Sequence, residues 1–159
     1  MTRVGLGFDV HPLVEGRPLV LGGIEVTADR GLGGHSDADV LTHAVADALL
    51  GALALGDLGQ HFPDTDPRYR GISSLHLLSE VVARVRSHGG RPVNVDATIV
   101  AEGPRLAGSL EAMRARLAET LGLAPDRVSV KAKRPERLGA LGRHEGIAAM
   151  AVALVEIPE

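Results

Sequence analysis

Asp9, His11 and His43 are the side chains in this sequence whose types and spacing suit a metal ion. Asp9 and His11 are two apart in a run that alternates like a strand, so they project from one face. His43 stands in the first turns of a helical pattern. Two imidazoles and a carboxylate make a zinc ligand set with a fourth position left for water or a substrate oxygen. The chain holds seven histidines and no cysteine. Thiolate metal sites and disulfides are therefore excluded, and any metal rests on His, Asp, Glu or backbone oxygen. With seven histidines such a trio can also arise by chance, and Asp-x-His alone reads equally well as an exposed pair at a strand end.

Cationic residues gather elsewhere. Lys131, Lys133, Arg134 and Arg137 cluster at a strand end with Glu136 among them, Arg105 follows another strand, and Arg143 lies in a glycine-rich turn. Each alone reads as a surface charge. Beside a metal trio they point to a phosphorylated substrate. The sequence has no nucleophile elbow, Walker loop, dinucleotide fingerprint or zincin helix. The chemistry this favours is metal-assisted phosphoryl transfer without a protein nucleophile.

Several elements must position these groups. Residues 3–11 read as a strand ending at Pro12, and residues 19–26 as a hairpin about Gly22-Gly23. Gly33-Gly-His-Ser-Asp-Ala-Asp-Val-Leu-Thr-His43 leads into a helix ending between Gly51 and Gly56. Ser36, Asp37 and Asp39 are residues that cap helix starts. Asp37, Asp39 and Asp47 read as capping groups or as supports of the histidine. Residues 56–67 form a polar loop rich in proline and aspartate, which favours function over mere connection. His61 within it reads as a packing residue. A second helix spans 73–88, capped by Ser73 or Ser74 and stopped by Gly89-Gly90. Strand 93–100, helix 106–121, strand 127–133 and strand 147–157 complete the chain. The order predicts an α/β (α+β) two-layer domain, a mixed four-stranded sheet with helices on one face.

At 159 residues the chain reads as one domain, 1–159, with a net charge of −3. That balance gives no case for nucleic acid or a membrane surface as partner. No signal-peptide core or apolar run of about 20 residues is present, so a cytoplasmic protein is expected. Aromatic residues make up only 2 % of the chain. A core of small side chains makes an oligomer interface a natural way to bury more surface.

Six stretches together resemble the 2-C-methyl-D-erythritol 2,4-cyclodiphosphate synthase family. They are Gly7-Phe-Asp-Val-His11, Ser36 through Ala52, Gly56-Asp-Leu-Gly59, Phe62-Pro-Asp-Thr-Asp66, Asn94-Val-Asp96 and Glu145-Gly-Ile-Ala148. They run in order along the whole chain, and the cytidylyltransferase domain fused to this one in some bacteria is not expected here. The resemblance implies a bacterial lyase of the non-mevalonate isoprenoid pathway. Its substrate, 4-diphosphocytidyl-2-C-methyl-D-erythritol 2-phosphate, closes to the cyclic diphosphate and releases CMP.

Carried over by position, the resemblance implies zinc on Asp9, His11 and His43, and magnesium or manganese bridging the diphosphate with help from Glu136. His35 and Ser36 would meet phosphate, and Asp57, Leu58 and Gly59 the sugar hydroxyls. Phe62, Pro63, Asp64, Thr65 and Asp66 would lie nearby. Ala101, Arg105, Leu106 and Ala107 would hold the cytidine and diphosphate with Lys133, Arg134, Pro135 and Glu136. His35 and Arg134 would be the catalytic side chains. The resemblance further implies a homotrimer with sites between subunits, Arg143 facing a central cavity and Ala140 standing where an aromatic residue often lines it. Lys133-Arg134-Pro135 replaces the family's threonines. Arg134 offers a bidentate charge in their place, while Pro135 lacks a backbone donor. Two alternatives stay open: a metal-dependent phosphohydrolase, and a non-catalytic trimeric protein that binds prenyl diphosphates or nucleotides.

Overall fold

The alternation that begins at the N-terminus builds β1, Thr2–Val14, the strand that carries Asp9 and His11. The computed structural model describes residues 1–158. β1 lies antiparallel to β7, Gly146–Glu156, in unbroken register from Thr2↔Glu156 to Pro12↔Gly146. β5, Arg91–Val100, is antiparallel to the other edge of β7 and parallel to β6, Val128–Lys133. β1 runs past its expected end. Pro12 lacks an N–H, but its carbonyl accepts from Gly33 at 2.8 Å and Leu13 N–H donates to Glu145 at 3.0 Å. One missing donor is bridged, and the strand continues.

That continuation recruits β4, Gly31–Leu32, through Leu13↔Leu32 and Val14↔Gly31. The sheet order is therefore β4-β1-β7-β5-β6. The four long strands are those expected from sequence, and the two-residue β4 makes a fifth at the edge. Too short to carry a pattern, it exists only through β1. β2, Leu19–Leu21, and β3, Ile24–Val26, form the expected hairpin. Gly22 and Gly23 both take positive φ, as a tight hairpin turn requires.

The helices cover one face. α1 is Val40–Ala52, α2 Leu58–His61, α3 Ser74–Ser87 and α4 Leu110–Leu121; α5, Gly139–Gly142, is a single turn in the loop before β7. A 3-10 turn over Ala107–Ser109 replaces the first turn of the third long helix, whose α-helical part starts four residues later than expected. α1 is buried along nearly its whole length between β1, β7 and α3. It sits this deep because β1 has glycines beneath it: a Cβ on Gly5 would lie 1.8 Å from the Ala48 carbonyl oxygen, and one on Gly7 1.8 Å from that of Ala44. Among the described residues, the opposite face of the sheet carries no helix. Val4, Leu6, Phe8, Val10, Met150 and Val152 stand exposed on β1 and β7.

Candidate metal and substrate site

Gly5, Gly7, Asp9 and His11 share the face of β1 that meets α1, and α1 delivers His43 to the same point. Asp9 Oδ2 lies 2.9 Å from His11 Nε2 and 3.0 Å from His43 Nδ1; the two ring nitrogens are 3.3 Å apart. Tetrahedral zinc with bonds of 2.0–2.1 Å sets its ligand atoms about 3.3 Å from one another. The donor set fits a divalent metal of that kind, and these three residues would hold it.

Burial alone would push the Asp9 carboxyl up. Hydrogen bonds from His11 and His43, with the charge of both rings, outweigh it and hold Asp9 well below the usual carboxylate range. For His11 burial opposes protonation, but the bond to Asp9, its charge and the Gly33 carbonyl raise the imidazole above its ordinary value. The signs give a stability window for the metal-free protein. Asp9, lowered by folding, contributes above about pH 4, the unfolded value. His11, raised by folding, contributes fully below about pH 6.5, its unfolded value, and loses that contribution as pH rises through its folded value. Urea unfolding of chelator-treated protein across pH should show this extra stability between those limits and its loss in Asp9→Asn.

Outer bonds fix the ligands. His11 Nδ1 donates to the Gly33 carbonyl at 2.9 Å, and His43 Nε2 faces Ser74 Oγ at 2.7 Å and Ser36 Oγ at 3.2 Å. The three supporting aspartates each cap a different helix. Asp39 caps α1 through Thr42 N–H and also accepts from Gly22 and Gly23; full burial pushes its carboxyl up despite these bonds. Asp47 accepts the Leu58 N–H that opens α2 at 2.7 Å, and burial raises it too. Asp37 accepts the Ser74 N–H that opens α3 at 3.0 Å. The expected capping of that helix by its own serine is thus corrected: Ser73 makes no side-chain cap bond, and a carboxylate 37 residues upstream supplies it.

A cavity of about 480 Å³ opens over the trio. Of the residues singled out in sequence, it gathers Asp9, His11, His35, Ser36, His43, Asp57, Leu58, Gly59, Phe62, Pro63 and Asp64. His35 Nε2 is tied to the Asp66 carbonyl at 2.8 Å. Thr65 and Asp66 do not line the cavity; the Asp66 carboxylate is taken by Arg68. Sequence reading missed Asp47, Tyr69 and Leu77 as walls, and Arg17. Arg17 clamps the Gly34 and Ser36 carbonyls at 2.6 and 2.7 Å and so shapes the loop between β4 and α1. Only chain folding brings it there, and no local pattern marks it. His61 packs as expected, against the Leu55 carbonyl at 2.7 Å.

The remaining candidates form a second group beyond the ends of β5 and β6. Ala101, Arg105, Leu106 and Ala107 lie on one loop and Lys133, Arg134, Pro135 and Glu136 on its neighbour, joined by Ala101 N–H to the Lys133 carbonyl at 3.0 Å. Arg134 Nε stands 3.6 Å from the buried Glu102 carboxylate. Glu136 and Arg137 both hold positive φ, an uncommon strain in consecutive non-glycine residues. Lys131, grouped with these cations from sequence, is taken by Asp96 on β5. Arg143 pairs with Glu145 at 2.7 Å, and Ala140 is exposed on α5. None of this second group lines the metal cavity.

The family model described as the YgbB family matches residues 2–156. The chain belongs to the YgbB family. A relative from Laribacter hongkongensis, named 2-C-methyl-D-erythritol 2,4-cyclodiphosphate synthase, is 63 % identical over 97 % of this chain and 95 % of its own length. Among solved structures, a synthase of that name in its CDP-bound form superposes with a TM-score of 0.89 at 38 % identity, over 97 % of this chain and all of the other. The bifunctional IspDF from Campylobacter jejuni superposes with a TM-score of 0.96 at 40 % identity; this chain is covered in full and spans 43 % of that longer protein. The fold of this chain is thus that of the YgbB family.

Proposed function

We propose that the two groups of residues are halves of one active site, each completed by a neighbouring copy of the chain. The chain is a phosphorus–oxygen lyase that converts 4-diphosphocytidyl-2-C-methyl-D-erythritol 2-phosphate to 2-C-methyl-D-erythritol 2,4-cyclodiphosphate and CMP. One observation carries the half-site reading. Among the described residues, no lysine or arginine lines the cavity over the metal trio, whose walls include Asp9, Asp47, Asp57 and Asp64. The phosphates of the substrate carry more negative charge than one divalent ion on the trio offsets, and Lys133, Arg134 and Arg105 sit in the other group. The uncovered apolar face from Val4 to Val10 supplies a reason for copies to associate, and a homotrimer is the assembly proposed. Its mass by light scattering should be three times the 16.6 kDa chain, and Phe8→Asp should break it.

In the reaction, an oxygen of the 2-phosphate bonds to the β-phosphorus, and the bond from that phosphorus to the oxygen bridging the α-phosphorus breaks. CMP leaves with the bridging oxygen. The substrate brings its own nucleophile, so the protein's task is to align and neutralise. A divalent ion on Asp9, His11 and His43 supplies positive charge to phosphate oxygens when bound. Ser36 and His35 meet the phosphate end, Asp57, Leu58 and Gly59 the erythritol hydroxyls, and Phe62 to Asp66 flank them. Ala101, Arg105, Leu106 and Ala107 seat the cytidine, and Lys133, Arg134 and Pro135 the diphosphate. Glu136 would hold a magnesium or manganese ion, which would supply positive charge to the diphosphate. Arg143 and Ala140 lie toward the trimer axis. Residues 1–159 act as a single domain. No helix among the described residues is long and apolar enough to cross a membrane, and a bacterial cytoplasm is the proposed compartment.

Phosphorus NMR of the product mixture is the decisive assay. A cyclic diphosphate with stoichiometric CMP is expected; free phosphate would indicate a hydrolase, and binding without turnover a silent ligand-binding protein. Arg134→Ala should lower kcat by about 10²-fold, the loss seen when one fixed charge donor is removed from a developing anion, while Arg134→Thr should recover part of it. An unchanged kcat in Arg134→Ala would remove Arg134 from the chemistry.

A further inference from the structure

His11 and His43 differ in what holds their outer nitrogens. The Gly33 carbonyl can only accept, so His11 must carry its proton on Nδ1 and offer the Nε2 lone pair inward. His43 Nε2 instead faces hydroxyls, which can donate or accept. A hydroxyl alone would equally suit the wrong tautomer, with Nδ1–H donated to Asp9 at 3.0 Å and no lone pair for a metal. Asp37 removes the ambiguity. Its Oδ2 accepts the Ser74 N–H at 3.0 Å, and its Oδ1 makes a short contact with Ser74 Oγ. A carboxylate accepts only, so the Ser74 proton goes to Asp37 and the Ser74 lone pair is left for His43 Nε2–H.

We infer that Ser74, oriented by Asp37, is a positioning residue for the metal ligand His43, accepting its Nε2 proton and so aiming the Nδ1 lone pair at the metal position. Ser74 is fully buried, and water cannot replace it. A second consequence concerns Ser36. Its oxygen accepts the Ala38 N–H at 3.1 Å, and with the His43 proton already committed to Ser74 at the shorter distance, the Ser36 hydroxyl proton is free to donate to a phosphate oxygen. The outer partners come from the loop between β4 and α1 (Gly33, Ser36) and from α3 (Ser74). That loop is stitched to the residues before α3 by Gly71 N–H to the His35 carbonyl and Asp37 N–H to the Ile72 carbonyl. The inference rests on the metal reading of Asp9, His11 and His43.

The test is zinc affinity by chelator competition, with nitrogen-15 NMR of the zinc-loaded protein. Ser74→Ala should weaken zinc binding by about 10–100-fold, the usual effect of losing a ligand's outer partner. Asp37→Ala should weaken it in the same direction, and the double variant should be no weaker than the worse single one, because the two act in series. Ser36→Ala should stay within about twofold. In the unmutated protein the His43 proton should reside on Nε2. A Ser74→Ala protein that binds zinc as tightly as the parent, additive losses in the double variant, or a proton on Nδ1 would each overturn the inference. If zinc binds the parent and is lost in His43→Ala while Ser74→Ala is unaffected, the inference alone fails; if the parent binds no zinc, the metal reading fails with it.

Discussion

His43→Ala is expected to lower kcat/KM by at least about 10²-fold, equivalent to some 3 kcal/mol of lost transition-state stabilisation. The geometry accounts for the size. His43 is the one ligand contributed by a helix, and its removal leaves Asp9 and His11 on adjacent positions of one strand face, 2.9 Å apart. Two donors from one strand do not enclose an ion. The same variant also leaves Ser74 facing a hole in a fully buried position, so the outer support has nothing to orient. Two readouts separate a metal role from a general loss of structure. The parent should gain thermal stability on adding zinc, since an ion that binds only the folded state shifts unfolding by mass action. His43→Ala should not gain it, although its metal-free unfolding remains cooperative. Activity within tenfold of the parent would remove His43 from the site.

This trio shows where sequence suffices and where it does not. Asp9 and His11 were legible because a strand's period of two forces them onto one face, and His43 because an apolar stripe fixed the helix and its buried side. What brings 9 and 43 together is a contact 34 residues long, and its physical trace in the sequence is small: two glycines in β1 and two alanines in α1. The four long strands and three long helices follow from periodicity. β4 does not, since two residues carry no period and their pairing is imposed by β1. The cap of α3 departs from the Ser73 or Ser74 that local pattern predicts, for a related reason. Local rules place a serine at a helix start, but Asp37, held in the loop before α1, reaches the Ser74 N–H with a full charge. Arg17 escaped for want of any local signal. An arginine in a turn looks solvated until the chain folds and puts two carbonyls within its reach.

The phosphate half of the site was legible as charge but not as geometry. Arg105, Lys133, Arg134 and Glu136 were recognisable as a cluster, and the parallel pairing of β5 with β6 does bring their loops together. Sequence gave no sign that Lys131 is spent on Asp96, or that Glu102 lies buried against Arg134. That buried carboxylate has one oxygen without a hydrogen-bond partner. Its proximity to Arg134 gives the guanidinium an anionic anchor.

Gly7→Ala should be strongly damaging for so small a change, costing about 3 kcal/mol or more, equivalent to about 6–12 °C in Tm for a chain of this size. The new methyl would sit 1.8 Å from the Ala44 carbonyl oxygen and 2.8 Å from the Ala48 nitrogen, both backbone atoms of α1 that no rotamer change can move aside. α1 must lift from β1, and it must lift at Ala44, the residue after His43. Asp9 and His11 stay with the strand, so the 3.0 Å approach of His43 to Asp9 is lost along with stability. Zinc affinity should therefore fall in the fraction that still folds. Gly51→Ala, in the same helix, is the control and should have the opposite sign. Its Cβ meets nothing closer than the Leu6 carbonyl at 3.8 Å, and alanine is favoured over glycine in a helix, by up to about 1 kcal/mol in the interior and less in the last turn where Gly51 stands. If the two substitutions shift Tm equally, helix propensity rather than the glycine-lined contact governs this interface, and the account of how β1 and α1 assemble the metal site fails.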